Sequence, residues 1–289
     1  MHVAAAIRRR VLEHTLRNNG GYLSQACSAA EILATLYTDI LRIGPSTAPL
    51  LPPPFEAVPA PGLPRRTGAA YNGDSAPELD RFIFSPVHYA LVLYSALIEV
   101  GRLAPEALSS FNQDGSVLEL IGAEHSPGHE LTAGSLAQAI SQACGIALAR
   151  KLRGDTGRVW VFMSDGEFQE GQCYEAFAAA AWHRLDNLRV IVDCNAQQCD
   201  GAMADVMNIE PLAERLCAFG VDAFEVDGHS PQQLIAGAAR ASEKPLVLLA
   251  RTDPCRGMEL LRERAPLLHY VRFKSDAERA RYQGLLEEV

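Results

Sequence analysis

The sequence predicts an α/β fold built on a mostly parallel central sheet with helices on both faces. Two observations carry that expectation. In the second half, runs that are apolar throughout alternate with single amphipathic segments: "RVWVFM", "GQCYEAFAAAAWHRL", "RVIVD", "EPLAERLCAFG", "DAFEV", "SPQQLIAGAARAS" and "PLVLLA". Strands apolar on both faces need cover on both faces, and one helix between successive strands is the connection that parallel pairing requires. In addition, 289 residues with 48% hydrophobic content can bury a substantial core, in one large domain or two small ones.

The first half reads as follows. "HVAAAIRRRVLEHTLRNN" is an amphipathic helix ended by the Gly20-Gly21 pair, and "CSAAEILATLYTDIL" is a second helix with apolar residues at helical spacing. Residues 45–64 hold eight of the 17 prolines, a composition that excludes regular structure and predicts a long surface loop. "RFIFS" predicts a short strand. "VHYALVLYSALIEVG" and "SLAQAISQACGIALARKLRG" predict helices that end at Gly101 and Gly154, where glycine supplies the left-handed turn that closes a helix. The charged tail "SDAERARYQGLLEEV" predicts a final helix.

The net charge of −9 argues against a nucleic-acid surface, which needs clustered Lys and Arg against phosphates. An anionic small ligand would need local compensation from a metal or from backbone amides. The seven cysteines form no CxxC pair, are odd in number and fall mostly inside apolar runs. They read as reduced and buried, which predicts a cytoplasmic setting. No charged-then-apolar leader opens the sequence, and the most apolar helical run is interrupted by Ser, Gln and Arg, so neither export nor a membrane span is expected.

The stretch "VWVFMSDGEFQEGQ" runs from an apolar strand into three carboxylates. In a parallel sheet, ligands bind beyond the carboxyl ends of the strands, and Asp165 and Asn195 stand at two such ends. A carboxylate there is placed to hold a hard cation through oxygen. Asp165, Asn195 and a nearby backbone carbonyl would leave the other octahedral positions of Mg²⁺ to diphosphate oxygens and water. The competing reading is a solvated turn or a helix N-cap.

"SDGEFQEGQ" followed by "NAQQCDG" resembles the thiamine diphosphate motif, Gly-Asp-Gly and then Asn, in the form found in transketolases. "AAEILATLY", "DRFIFSPVHYALVLYSAL", "SPGHELTAGSLAQAISQACGIALARKLRG", "EAFAAAAWHRLDNLRVIVDCNAQQCDG" and "EPLAERLCAFGVDAFEVDGHS" look like successive parts of the transketolase N-terminal domain. The resemblance covers nearly the whole chain and implies a thiamine diphosphate-binding fold, with residues 1–289 forming a single diphosphate-binding domain. It implies that Asp165, Asn195 and the Gln197 carbonyl bind Mg²⁺, or Ca²⁺ or Mn²⁺ in its place. Gly166 and Glu167 would then lie beside the diphosphate. It further places Gly134 and Leu136 of "AGSLAQ" at the pyrimidine end of the cofactor, where a loop entering a helix admits close approach; an ordinary helix cap is the plainer reading of that stretch. His88 and His269 fall where the family has histidines near the diphosphate and in the substrate channel, each able to act as general acid or base. Glu170 matches a glutamate at the subunit interface, against the plainer role of a helix-start acid.

Three departures concern the substrate. Tyr22 stands where many transketolases have a substrate-facing histidine, and Ala123 where another is usual. Nearby His125 and His129 are candidates to replace the latter. Ser164 replaces the first glycine of the motif; it fits if the backbone there is not glycine-only, and its hydroxyl could reach the diphosphate. The resemblance also implies a separate C-terminal subunit, an α2β2 assembly and an active site between chains. The expected activity is transfer of a two-carbon ketol unit from a ketose or ketose phosphate to an aldehyde or aldose acceptor, in which this chain anchors the cofactor. Two other readings stay open at this point: the α subunit of a 2-oxo acid dehydrogenase passing its unit to a carrier domain, and a non-catalytic cofactor-binding subunit.

Overall fold

Residues 2–57, 61 and 67–286 are described by a computed structural model of the chain. Parts of two expectations, the irregular chain at 58–60 and 62–64 and the last three residues of the C-terminal helix, lie outside the described residues.

In chain order the elements are α1 (His2–Asn18), α2 (Leu23–Thr35), β1 (Arg81–Phe84), α3 (Ala90–Glu99), α4 (Gln138–Arg153), β2 (Val159–Ser164), α5 (Gly171–Trp182), β3 (Leu188–Cys194), β4 (Gln197–Gln198), β5 (Gly201–Ala202), α6 (Met203–Val206), α7 (Leu212–Ala218), β6 (Asp222–Asp227), α8 (Pro231–Ala238), β7 (Leu246–Arg251) and α9 (Asp276–Leu285). Five strands form one sheet in the order β1-β2-β3-β7-β6, and every pair in it is parallel. The small β4-β5 hairpin follows β3 directly.

The two faces of the sheet carry separate apolar clusters, as period-two strands require. Phe82, Phe84, Trp160, Phe162, Leu246 and Leu248 pack on one side with α1, α2, α3 and α8. Ile83, Val161, Met163, Val190, Val192 and Leu249 pack on the other with α4, α5 and α7. The central strands β2 and β3 are buried at every position because helices cover both faces of the sheet there.

Most element boundaries follow the sequence reading. Gly101 and Gly154 both take positive φ at the ends of their helices. Two starts differ. α2 begins at Leu23, four residues before the expected onset, and all its residues are buried. A helix covered on every side has no polar stripe to mark where it starts. α4 begins at Gln138, not Ser135, because Ala137 sits in the left-handed region at φ 67°, and no side chain caps that end. The ordinary-cap reading of "AGS" is thus not what the chain does. The Pro-rich segment forms no helix or strand over residues 45–57. Five cysteines are buried and free; Cys199 and Cys217 are exposed. Among the described residues no helix is long and apolar enough to cross a membrane.

Candidate active site

The acidic stretch after β2 is a tight turn. Ser164 has φ −103° and ψ 156°, extended values open to any residue, so serine fits where the family motif has glycine. Its N–H donates to Glu167 Oε2 at 2.8 Å while its side chain accepts from the Glu167 N–H, a capping box that closes the turn Asp165–Gln169, and its hydroxyl also lies 3.3 Å from Glu167 Oε2. Glu167 Oε1 accepts from the Ser85 hydroxyl after β1 and from the Ala137 N–H at 3.1 Å before α4. This fully buried carboxylate ties three loops together and does not line the cavity described below. Burial pushes its carboxyl up, against those hydrogen bonds.

Asp165 is also buried, but only half satisfied. Oδ2 accepts from the Ala196 N–H at 2.8 Å, while Oδ1 is buried without a hydrogen-bond partner. Its carboxyl is pushed up to about 8, chiefly by burial and then by the Asp193 carboxylate, with the Ala196 N–H pulling the other way. At the end of β3, Asn195 Oδ1 accepts from the Gln197 N–H at 2.9 Å, and Ala196 between them takes φ 56°. The amide nitrogen of Asn195 donates to Tyr89 Oη at 3.0 Å, Asp193 Oδ2 at 3.2 Å and Ser28 Oγ at 3.3 Å. With three acceptors around the nitrogen, the amide oxygen is turned the other way, toward the turn that carries Gln197. Gln197 Oε1 is a second buried oxygen without a partner.

Asp193 is a polar hub beneath Asn195. Ser28 donates to it at 2.6 Å, Thr252 at 2.5 Å and Tyr89 at 3.2 Å, and burial pushes its carboxyl up. These partners come from α2, the end of β7 and the turn before α3.

Above these groups lies a cavity of about 220 Å³ whose lining includes His88, Gly134, Leu136, Ser164, Gly166, Asn195, Gln197 and His269. The structure therefore gathers eight of the sequence-expected residues into one space. His88 and His269 stand 5.2 Å apart, ring centre to ring centre. Burial and the neighbouring His269 lower His88 to about 3, and burial lowers His269, so both rings are uncharged at neutral pH. Tyr22 lies across their edges, 5.8 Å from His88, 5.4 Å from His269 and 4.9 Å from Tyr270. The residue at the position of a missing histidine thus faces the two histidines that are present.

His125 and His129 do not join this cavity. His129 is fully buried against Phe84 and Tyr94, its Nδ1 is 3.3 Å from the Pro127 carbonyl, and burial lowers it to about 4. It packs under the loop, where a side chain at Gly122 would strike it. His125 pairs with Glu119 at 3.2 Å and faces Phe55 of the Pro-rich segment. Glu170 is exposed at the N-cap of α5. Sequence reasoning does not single out Ser28, Ser85, Tyr89, Asp193, Thr252 or Gln25. Asp193 alone carries a signal, as a carboxylate closing an apolar strand.

Comparison with known proteins bears on this geometry. The family described as "Transketolase, thiamine diphosphate binding domain" matches residues 69–258. This chain belongs to the transketolase family. The 6-deoxy-6-sulfo-D-fructose transketolase subunit SqwG of Clostridium sp. is 31% identical over 260 residues, covering 89% of this chain and 85% of that one. A subunit of the apulose-4-phosphate transketolase of Phocaeicola vulgatus is 28% identical over 267 residues, covering 91% and 86%. Human transketolase is 30% identical over 258 residues, but the match spans only 37% of it. The solved transketolase of Campylobacter jejuni superposes with a TM-score of 0.73 at 23% identity, covering 98% of this chain and 45% of the other, a likeness of fold. The chain thus spans about half the length of that solved transketolase and most of the length of relatives named as transketolase subunits, which are transferases.

Proposed function

We propose that this chain is a single-domain, cofactor-anchoring subunit of a two-chain transketolase that works with thiamine diphosphate and Mg²⁺, or Ca²⁺ or Mn²⁺ in its place. The observation that carries the metal is the buried, unpartnered Oδ1 of Asp165 at the end of β2, beside Asn195 and Gln197 at the end of β3. An unpaired buried carboxylate oxygen is costly unless a cation meets it. One carboxylate, one amide oxygen and the Gln197 carbonyl make an all-oxygen set of the kind Mg²⁺ uses when phosphate completes its shell. When bound, the cofactor supplies the nucleophilic carbon through which a two-carbon ketol unit passes from a ketose or ketose phosphate to an aldehyde or aldose.

The chain's own residues do the rest. Asp165, Asn195 and Gln197 hold the metal, and Ser164, Gly166 and Glu167 form the turn beside the diphosphate. Gly134 and Leu136 border the space for the pyrimidine. Neutral His88 and His269 exchange protons or hydrogen bonds with substrate oxygens. His125 and His129 stand outside the lining of this cavity. The relatives' names support a partner chain, which we place in an α2β2 cytoplasmic assembly with Glu170 at a subunit contact. They also support a ketose outside the common pentose phosphates, in keeping with Tyr22 beside the two histidines.

The test uses the assembled complex. Thiamine diphosphate binding should require Mg²⁺, and Asp165→Ala should abolish it while leaving assembly intact. Unchanged binding would sink the metal assignment, and absence of ketol transfer by the wild-type complex across ketose donors would sink the catalytic one.

A further inference from the structure

Gln25 is a buried carboxamide in the first turn of α2, at the edge of the cavity. Its Nε2 lies 3.1 Å from the backbone carbonyl of His269 and 3.2 Å from the His269 Nδ1. Its Oε1 accepts from the Ser24 hydroxyl at 2.9 Å. A backbone carbonyl only accepts, so the amide nitrogen, not the oxygen, must face His269; the flipped amide would set two acceptors against each other. The same NH₂ group then meets Nδ1, and an N–H donor there demands a bare ring nitrogen. The ring proton of neutral His269 is left on Nε2. Among the described residues, Nε2 has no hydrogen-bond partner.

Local structure keeps this pairing in register. Gly21 and Val271 exchange backbone hydrogen bonds, 3.1 Å from Gly21 N to Val271 O and 2.9 Å from Val271 N to Gly21 O. That bridge holds the segment before α2 beside the segment carrying His269, and α2 fixes Gln25 two residues after its start. Ring contacts from Tyr22 and His88 restrict the imidazole further.

We propose that Gln25 is a positioning residue: its carboxamide holds His269 as the neutral Nε2–H tautomer, so that the imidazole meets the occupant of the cavity as a hydrogen-bond donor and not as a base. The catalytic consequence rests on the transketolase reading, in which a donor at that place would hold a substrate carbonyl or hydroxyl oxygen. The titratable groups around the ring are Tyr22, His88 and Asp200; Asp200 alone favours the charged imidazole, and burial outweighs it. Protonation at Nδ1 would also set N–H against N–H and cost the Gln25 bond.

The experiment is nitrogen NMR on the full chain labelled at histidine, with His269→Gln to assign the ring. The wild type should show a protonated Nε2 and a bare Nδ1 at neutral pH. Gln25→Leu, similar in volume but without donors, should shift His269 toward a mixture of tautomers. Gln25→Glu should move the proton to Nδ1 and raise the His269 pKa by about 1–3 units through the facing carboxylate. A wild-type ring protonated on Nδ1, or a tautomer unmoved in either variant, overturns the proposal. The wild-type and Gln25→Glu spectra decide the matter if Gln25→Leu does not fold. In the assembled enzyme, Gln25→Leu should lower kcat by about 10–100-fold with little change in donor KM; an unchanged kcat beside a switched tautomer refutes the donor role. A wild-type complex without ketol transfer would instead refute the functional reading, with the tautomer result still deciding the Gln25 pairing.

Discussion

Asp165→Asn separates the proposed metal role of the acidic turn from its role in the fold. In the metal-free chain, burial and the Asp193 carboxylate hold the Asp165 carboxyl at about 8, against an ordinary value of 3.8. Between those pH values the folded state keeps a proton that the unfolded state has released. Stability therefore falls as pH rises through the window of about 4 to 8 and is level beyond it. At about 1.4 kcal/mol per unit, the full penalty is on the order of 6 kcal/mol, an upper figure because Asp193 shares the titration. Asparagine keeps the shape and an oxygen for the Ala196 N–H, but it does not titrate. Urea unfolding in the presence of a chelator should place variant and wild type close together near pH 4, with the variant ahead by several kcal/mol at pH 8. With Mg²⁺ and thiamine diphosphate added to the assembled complex the gap should narrow, because wild type gains about 2.7 kcal/mol at a hundredfold excess over Kd and the variant gains nothing. A stability difference that is the same at pH 5 and pH 8 would refute the argument, since it would mean that Asp165 does not titrate within that window.

Three further outcomes follow from the same geometry. Asp193→Ala leaves the hydroxyls of Ser28, Thr252 and Tyr89 and the Asn195 amide without their shared acceptor; denaturant unfolding should show a loss of about 3–5 kcal/mol, and a loss under about 1 would mean that the hub is slack. Gly68→Ala would set a Cβ 1.7 Å from the Ser126 carbonyl and 2.6 Å from that of His129; thermal unfolding should report about 3 kcal/mol or more of destabilisation, and a neutral result would show that the loop yields freely. Burial alone would raise the Glu31 carboxyl, but hydrogen bonds from His229 and Arg8 together hold it at about 2, so its contribution is present above pH 4.5 and lost as pH falls toward 2. Glu31→Gln should cost about 2–3 kcal/mol at pH 7 with the gap narrowing below pH 4, and an equal gap at pH 3 and pH 7 would contradict that account.

The second half of the fold was legible because every β2 and β3 position is buried and nearly all are apolar, which only a doubly covered parallel strand demands. The start of α2 was not, since burial on all sides erases the stripe, and neither was the start of α4, since a left-handed Ala137 leaves no mark in composition. In the site, His88, Asn195 and His269, which the structure gathers at one cavity, and Asp165 beside Ala196 were singled out by position in the sequence. Their supports were not, because each is made across the chain. Ser28 meets Asp193, Ser85 meets Glu167 and Gln25 meets His269 only once the sheet is ordered. His125 and His129 show the converse. They are four residues apart and close to the expected channel in sequence, yet one faces the Pro-rich segment and the other the core, because loop direction decides and spacing does not record it.

The acid at the end of the sheet is then intelligible by division of labour. Three buried carboxylates, Asp165, Glu167 and Asp193, crowd the carboxyl ends of β2 and β3. Their hydrogen bonds come from hydroxyls, an amide and backbone N–H groups, with no lysine or arginine donating to them among the described residues. Glu167 has donors on both oxygens and closes the turn; Asp193 has donors on both and fixes the Asn195 amide. Only Asp165 keeps an oxygen back. Neutral donors can satisfy lone pairs but leave the charge in place, so burial raises all three carboxyls unless a cation meets them. A divalent ion at Asp165 would remove that conflict and at the same time turn an electronegative pocket into an anchor for a diphosphate, since among the described residues no lysine or arginine lines that cavity.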